Sequence, residues 1–274
     1  MCIRDRSITG LANVMASEMV GSGANVATLS ISESTSDWHK QRLVTRNLPL
    51  RTSFDPVYEG DNALVYVVDS GLDTDHPEFA NATIHKVHNI SNGSYDTFIA
   101  GGGSGSAFTV EDDHGHGTAV AGFVVGEEVG VARKAELGVV KISGADGNAD
   151  ISAVAEGIDS VFKHRGIVTA QDDGAYRTAA VVCAWTFPKS EALDRLFTYM
   201  WNRRLVAIAA AGNAGADVDN YSPGGLNGIL TVGASDSSDN VPSFSNDAGT
   251  VVEQGSGLQT NGGEEVDVFA PGVS

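Results

Sequence analysis

The apolar positions of this chain follow two rhythms. Short continuous runs rich in β-branched residues alternate with longer stretches in which apolar residues recur three and four positions apart. Residues 63–68 (ALVYVV), closed by Asp69-Ser70-Gly71, predict a buried strand that ends in a loop. Residues 137–142, 179–184, 205–210, 229–232 and 266–269 predict five more strands of the same kind. Between them, residues 115–125 (GHGTAVAGFVV) predict a small-residue helix. From Asp150 onward, Ile151, Val154, Ala155, Ile158 and Phe162 fall on one helical face. Leu193, Leu196, Phe197, Met200 and Trp201 repeat at i, i+3, i+4, i+7 and i+8, a core-packing stripe. Strands separated by helices of this length build βαβ units, so the expected fold class is α/β: a parallel sheet with helices on both faces. In such a sheet chemistry collects at the carboxyl ends of the strands. That singles out Asp69, the loop before His116, Gly147, Ala184 and Asn213.

Two segments break the pattern. Residues 92–106 are Gly/Ser-rich and predict a surface loop. Before residue 37, a helix over 8–18 and a short strand over 25–31 precede a polar linker at 32–37, which suggests a separate small unit. Met1-Cys2-Ile3-Arg4-Asp5-Arg6 has neither periodicity nor signal-peptide character. It resembles the translated end of a sequencing adapter and is set apart as an assembly scar.

Composition narrows the function classes. Among 274 residues, 17 are Lys or Arg and 35 are Asp or Glu, a formal net charge of −18. That sign disfavours nonspecific binding to nucleic acid or anionic lipid, both of which are polyanions. No apolar run reaches the ~18–20 residues of a membrane helix. The two cysteines, Cys2 and Cys183, allow at most one disulfide, so the fold is not disulfide-stapled, and Cys183 sits in an apolar run as a small buried hydrophobe. No Gly-x-Gly-x-x-Gly lies between a strand and a helix, which removes a dinucleotide-binding reading. His76, His85 and His88 lack the partner spacing of a transition-metal site. Asn81, Asn89, Asn92 and Asn220 each begin an N-x-S/T triplet, relevant only to a secreted eukaryotic protein.

Candidate chemistry lies in the residues that follow the strands. A hydrolase with a serine nucleophile needs a base for the hydroxyl proton, an acid that fixes the base's tautomer, and donors aimed at the oxyanion. Asp69, His116 and Asn213 are the three residues placed to supply those parts. Each signal is weak alone, and the combination in this order is strong.

With their flanks, these residues resemble the subtilisin-like serine proteases (subtilases), nearest the proteinase K-like subgroup. Val65-Tyr66-Val67-Val68-Asp69-Ser70-Gly71 with His76-Pro77-Glu78-Phe79 is similar to the family's aspartate motif. Gly115-His116-Gly117-Thr118-Ala119-Val120-Ala121-Gly122 is similar to its histidine motif, with Ala119 where a second histidine is common. Ala210-Ala211-Gly212-Asn213 with Asn220-Tyr221-Ser222-Pro223 resembles the oxyanion segment. Thr231-Val232-Gly233-Ala234-Ser235-Asp236, Ser243-Phe244-Ser245-Asn246 and Val266-Asp267-Val268-Phe269-Ala270-Pro271-Gly272 continue the match. The resemblance runs from about Trp38 to the end. It implies a three-layer α/β/α fold, incomplete at the C-terminus, and a serine endopeptidase acting through a Ser-His-Asp triad. Asp69 would orient the base, His116 would be general base and then general acid, and Asn213 would bind the oxyanion. His114 also lies by the cleft. Gly147, Asn148 and Ala149 match one substrate-binding edge, and Ala184, Trp185 and Thr186 the other. Asn227, Ile229 and Asp267 match a structural calcium site, with no cofactor needed for catalysis.

The resemblance also frames the departures. The family's Gly-Thr-Ser-Met-Ala-type nucleophile motif does not occur in these residues, and Ser274 matches a non-catalytic position. The chain as given is therefore expected to be an inactive fragment, because an acyl-enzyme needs a nucleophile. Ala184-Trp185-Thr186-Phe187 stands where Ser-Leu-Gly-Gly is usual, which narrows the substrate edge. This admits the alternative of a catalytically inactive binding or regulatory protein on the same fold. Residues 247–265 read as a Gly-rich insertion. The expected organisation is scar (1–6), propeptide remnant and linker (7–36) and catalytic domain (37–274), with maturation between about Ser30 and Asp37. The implied partners are polypeptide substrates and the chain's own propeptide as inhibitor. The implied state is a monomer, secreted or extracellular, with a vacuolar location as the variant.

Overall fold

A computed structural model describes residues 33–34, 37–54, 56, 58–90, 109–171, 179–241, 243–244, 258–259 and 265–272. The helix expected over 8–18, the strand over 25–31, the 92–106 loop and nearly all of the 247–265 insertion lie outside the described residues.

Seven strands form one sheet: β1 (Leu64–Asp69), β2 (Ile84–Asn89), β3 (Glu136–Lys141), β4 (Ala179–Cys183), β5 (Val206–Ala210), β6 (Leu230–Ser235) and β7 (Val268–Pro271). Their spatial order is β2-β3-β1-β4-β5-β6-β7. Every neighbouring pair is parallel. Among the described residues four α-helices accompany them: α1 (Trp38–Val44), α2 (His116–Val125), α3 (Ile151–Gln171) and α4 (Glu191–Asn202). The all-parallel sheet and the six expected strands are present, with boundaries shifted by at most three residues.

Burial explains why β1 reads as an unbroken apolar run. All six of its residues are buried, and alternate side chains serve opposite faces. Val65 and Val67 join a core with Val120, Ala121 and Val124 of α2. Leu64, Tyr66 and Val68 join another with Val154, Ile158 and Val161 of α3 and Leu193, Phe197 and Met200 of α4. Helices therefore cover both faces, as the strand–helix alternation predicts. Cys183 is buried in the second core.

Three sequence expectations need correction. The strand β2 at the sheet edge was not foreseen. Its register shifts between Lys86 and His88, so adjacent Val87 and His88 are both buried and the alternation that marks a strand is lost. Helix α1 was likewise not foreseen. Trp201 is not core: it is 57% exposed, while Leu193, Phe197 and Met200 of the same stripe are fully buried. It lies in the last turn of α4, beyond the arc that the sheet covers. Among the described residues no helix is long and apolar enough to cross a membrane.

The order of the sheet positions the site. The chain leaves β1, builds β2 and β3 on one side, then crosses to β4 on the other. The winding thus reverses at β1, and a crevice opens at the carboxyl end of the strand that ends in Asp69.

The core at this point tolerates little change. A Cβ on Gly138 of β3 would stand 2.5 Å from the Tyr66 ring, and the Tyr66 hydroxyl is held by His164 Nδ1 at 2.9 Å. Gly138→Ala is expected to destabilise by about 1–3 kcal/mol through overpacking. Urea unfolding of that variant beside the Gly138→Ala/Tyr66→Leu pair checks this, and the pair should recover part of the loss.

Candidate active site

Asp69 ends β1 with no solvent exposure. Its Oδ1 accepts the Ser70 backbone N–H at 2.7 Å and lies 2.7 Å from His116 Nδ1. His116 opens α2 and is itself buried, at 7% exposure. A carboxylate on Nδ1 keeps that nitrogen protonated, so the lone pair resides on Nε2. A buried pair of this kind can serve as a fixed imidazole base with a carboxylate behind it.

The local sequence folds this way because of Asp112 and three glycines. Asp112 Oδ1 accepts from Ser70 Oγ at 2.7 Å, His114 N–H at 3.0 Å and Gly115 N–H at 2.8 Å. Its Oδ2 accepts from the Thr118 N–H at 2.9 Å and the Thr118 hydroxyl at 2.7 Å. Ser70 Oγ in turn accepts the Gly117 N–H at 2.9 Å. One carboxylate thus ties the residue after Asp69 to the residues on both sides of His116. Gly115 caps α2 with φ +93°, in the left-handed region where glycine is at ease. Gly71 and Gly117 let the two motifs touch: a Cβ on Gly117 would meet the Gly71 carbonyl at 2.3 Å. Burial pushes the Asp112 carboxyl up. The hydrogen bonds from Thr118, Gly115 and Ser70 outweigh burial and bring it to about 2.

Lys141 was missed by the sequence reading. It ends β3 beside Asp69 in the ladder, is 1% exposed, and donates to the Ser70 carbonyl while pairing with Asp113 Oδ2 at 3.1 Å. A lysine closing an otherwise apolar strand was the available signal. For Asp112 the signal was the acidic run just ahead of the helix, where carboxylates satisfy free N–H groups.

Asn213 follows β5, after Gly212 at φ +95°, and is partly buried. Two strand spacings, about 10 Å, separate the ends of β1 and β5, so Asn213 shares the rim with the Asp69–His116 pair. Gly147, at φ +66°, donates its N–H to the Gly144 carbonyl at 2.9 Å. The Asn148 N–H and side-chain amide both bind Asp146. Ala149 packs at the edge of the second core. Ala184 is buried and Thr186 partly buried. The Trp185 side chain turns inward from the edge that the resemblance assigned to substrate. It is 3% exposed, its indole N–H donates to the Val68 carbonyl at 2.8 Å, and its ring meets Phe187 and Phe197 edge-on. Only its backbone is left to the cleft. Phe187 pairs with Ser222 in a two-residue antiparallel ladder.

Of the residues expected to hold calcium, Asp267 is bonded to Thr231 of β6. The Asp267 N–H donates to the Thr231 carbonyl at 3.0 Å, and Asp267 Oδ2 accepts the Thr231 N–H at 2.8 Å. The neighbouring turn carries Asn227, whose amide reaches Glu265 at 3.3 Å, and Ile229. Among the described residues no three His, Cys, Asp or Glu side chains cluster as a metal site. A cation here would rest on one carboxylate and backbone carbonyls, an oxygen set that suits calcium.

The peptidase S8 subtilase family model matches residues 60–274. The chain belongs to the subtilase family. Among curated relatives, it is 34% identical over 218 residues to Subtilisin-like protease 2 of Pseudogymnoascus destructans, a match covering 78% of this chain and 44% of that protein. It is 29% identical over 253 residues to the cuticle-degrading serine protease of Arthrobotrys oligospora, covering 90% and 53%. A solved cold-adapted subtilisin-like serine proteinase superposes with a TM-score of 0.66 at 27% identity, over 85% of this chain and 71% of that one. The chain spans about half the length of the curated relatives it matches.

The Asp112 network makes acid stability a direct readout. The folded carboxyl lies at about 2 against an ordinary 3.8, so its contribution is complete above roughly pH 4 and is lost as pH falls toward 2. Asp112→Asn is expected to cost about 2 kcal/mol at neutral pH, and the difference from wild type should vanish near pH 2. Unfolding free energies measured across that range check it.

Proposed function

We propose that this chain carries the aspartate and histidine of a secreted subtilisin-like serine endopeptidase that hydrolyses polypeptides through a Ser-His-Asp triad. The observation that supports it is the 2.7 Å Asp69–His116 contact, buried at the carboxyl end of the strand where the sheet reverses. In this reading a serine hydroxyl, contributed by sequence following Ser274, attacks the scissile carbonyl. Nε2 of His116 takes the hydroxyl proton and then returns it to the leaving amine. Asp69 accepts the hydrogen bond from Nδ1 and stabilises the imidazolium that forms. The Asn213 amide donates to the tetrahedral oxyanion. The substrate backbone runs between the 147–149 edge and the 184–186 edge. Maturation would release a propeptide remnant within 7–36 that acts as the inhibitor, and the mature protein would work as an extracellular monomer.

The 184–187 edge favours a second reading. Thr186 and Phe187 replace the glycines that make room for a substrate side chain, which suits a non-proteolytic binding module. Sequencing the source transcript past Ser274 separates the two. An in-frame Gly-Thr-Ser-Met-Ala-like segment supports the protease; a closed frame or a replaced serine supports the binding module. In the extended enzyme, His116→Ala is expected to lower kcat by about 10^6-fold, the size measured on subtilisin itself, and Asp69→Asn by about 10^4-fold. Rates in the variants near those of the parent, with a peptide substrate, would overturn the assignment.

Asp267 and the carbonyls of Asn227 and Ile229 would hold a structural calcium ion and tie the start of β7 to the turn before β6. Added calcium is expected to raise the Tm of the wild-type chain and to leave that of Asp267→Ala unmoved, read by calorimetry with and without chelator.

A further inference from the structure

The chain carries four Asn-x-Ser/Thr triplets, at Asn81, Asn89, Asn92 and Asn220, and the mechanism above uses none of them. The structure separates them. Those at Asn89 and Asn92 run through residues outside the described ones. Asn81-Ala82-Thr83 follows a short 3₁₀ turn (Pro77–Phe79) and leads into β2. Asn81 and Thr83 are both exposed. Asn220-Tyr221-Ser222 has an exposed asparagine but a hydroxyl residue without solvent. Ser222 Oγ donates to Asp194 Oδ1 at 2.7 Å and accepts the Ser190 N–H at 2.9 Å. Tyr221 and Ser222 are also paired with Pro188 and Phe187 in a ladder.

We propose that Asn81 is a site of N-linked glycosylation and that Asn220 is not. This rests on the reading of the chain as a secreted protein, here of a eukaryote. Glycan addition needs an asparagine amide and a hydroxyl two residues on, in a surface stretch of chain. At 81–83 both residues face solvent. The backbone holds this turn: the Ala82 N–H donates to the Phe79 carbonyl at 3.1 Å, and the Thr83 carbonyl accepts the Leu137 N–H at 2.9 Å. The Asn81 side-chain amide donates to Glu127, itself exposed, and an amide nitrogen carries two hydrogens. One can be replaced by the sugar while the other keeps Glu127. At 220–222 the hydroxyl is committed under α4, and presenting it to a transferase would break both of its bonds.

In the transfer, Asn81 Nδ2 forms a bond to the anomeric carbon of an oligosaccharide. The sugar–phosphate bond of a lipid-linked pyrophosphate donor breaks, and the lipid pyrophosphate leaves with the electron pair. One Nδ2 proton passes to a base of the transferase. The position suits a bulky, solubilising group. Asn81 precedes β2 at the amino end of the sheet, whereas Asp69 and His116 lie at the carboxyl end. Six-residue strands separate the two ends by about 17 Å, so the glycan leaves from the end opposite the cleft.

The test is expression of the full 274-residue chain behind an added secretion leader in yeast. Peptide N-glycosidase F in heavy-oxygen water then converts each glycan-bearing asparagine to a mass-labelled aspartate, read in tryptic peptides. Medium and cell fractions are read alike, so poor export leaves the result decided. Asn81 should be labelled in most molecules and Asn220 in a small minority. The Asn81 label should be lost in Asn81→Gln and in Thr83→Ala, the second of which keeps the amide and its Glu127 bond. An unlabelled Asn81 in wild type, an Asn220 labelled as fully as Asn81, or a label that persists in Thr83→Ala overturns the proposal. The wild-type peptides alone decide it if the variants fail to fold. Blotting medium and cells of the native source tests the secreted reading separately: a native chain retained in the cells removes that reading, while the yeast peptides still decide whether Asn81 is an acceptor.

Discussion

A carboxylate without solvent, held at the end of a strand without solvent, is the constraint on which the rest of this molecule depends. Asp69 can be kept rigid there because β1 is covered on both faces and flanked on both edges by parallel partners. A charge in that position needs donors close by, and the chain supplies the Ser70 amide and the His116 ring to one oxygen. The pair is therefore preorganised by the core itself. The imidazole that results has its Nδ1 committed to the carboxylate.

The loop between β2 and α2 carries the second half of the arrangement. Asp112 gathers five donors from Ser70, His114, Gly115 and Thr118, and these are the residues that fix how the helix start meets the strand end. The glycines are needed for the same reason: with side chains at 71 and 117 the two backbones could not approach. Lys141 adds a buried cation under the same junction, joined to the Ser70 carbonyl and Asp113. Its carboxylate partner Asp113 is exposed, so the ion pair itself adds little to stability, and the buried bond to the Ser70 carbonyl fixes the contact between the two motifs.

The segment after β4 is drawn toward the core. Trp185 turns inward to bond the Val68 carbonyl, so the residue after β4 braces the central strand instead of facing a ligand. Phe187 is drawn into a short ladder with Ser222. The 147–149 edge, by contrast, keeps its turn geometry with His114 seated against it. The Asp69–His116 junction and the 184–187 segment are thus held by separate sets of contacts.

Much of this was legible in the residues themselves. Continuous β-branched runs gave the central strands, because strands buried on both faces carry no polar alternation. Aspartate, histidine and asparagine motifs after those runs gave the candidate site, because their glycines and flanks are required by close backbone approach. The edge strand Ile84–Asn89 was not legible, since a register shift erased its period. Nor were Asp112, Lys141, Trp185 and Trp201, whose roles hang on which neighbours fold against them. An acidic loop residue, a lysine at a strand end and two tryptophans look the same in sequence whether they face water, a core or a carboxylate. The sequence by itself determined the sheet class and the chemistry available at its rim. The tertiary structure decided which donors meet which acceptors there, because that depends on strand order and packing distance, and neither is encoded in the spacing of residues along the chain.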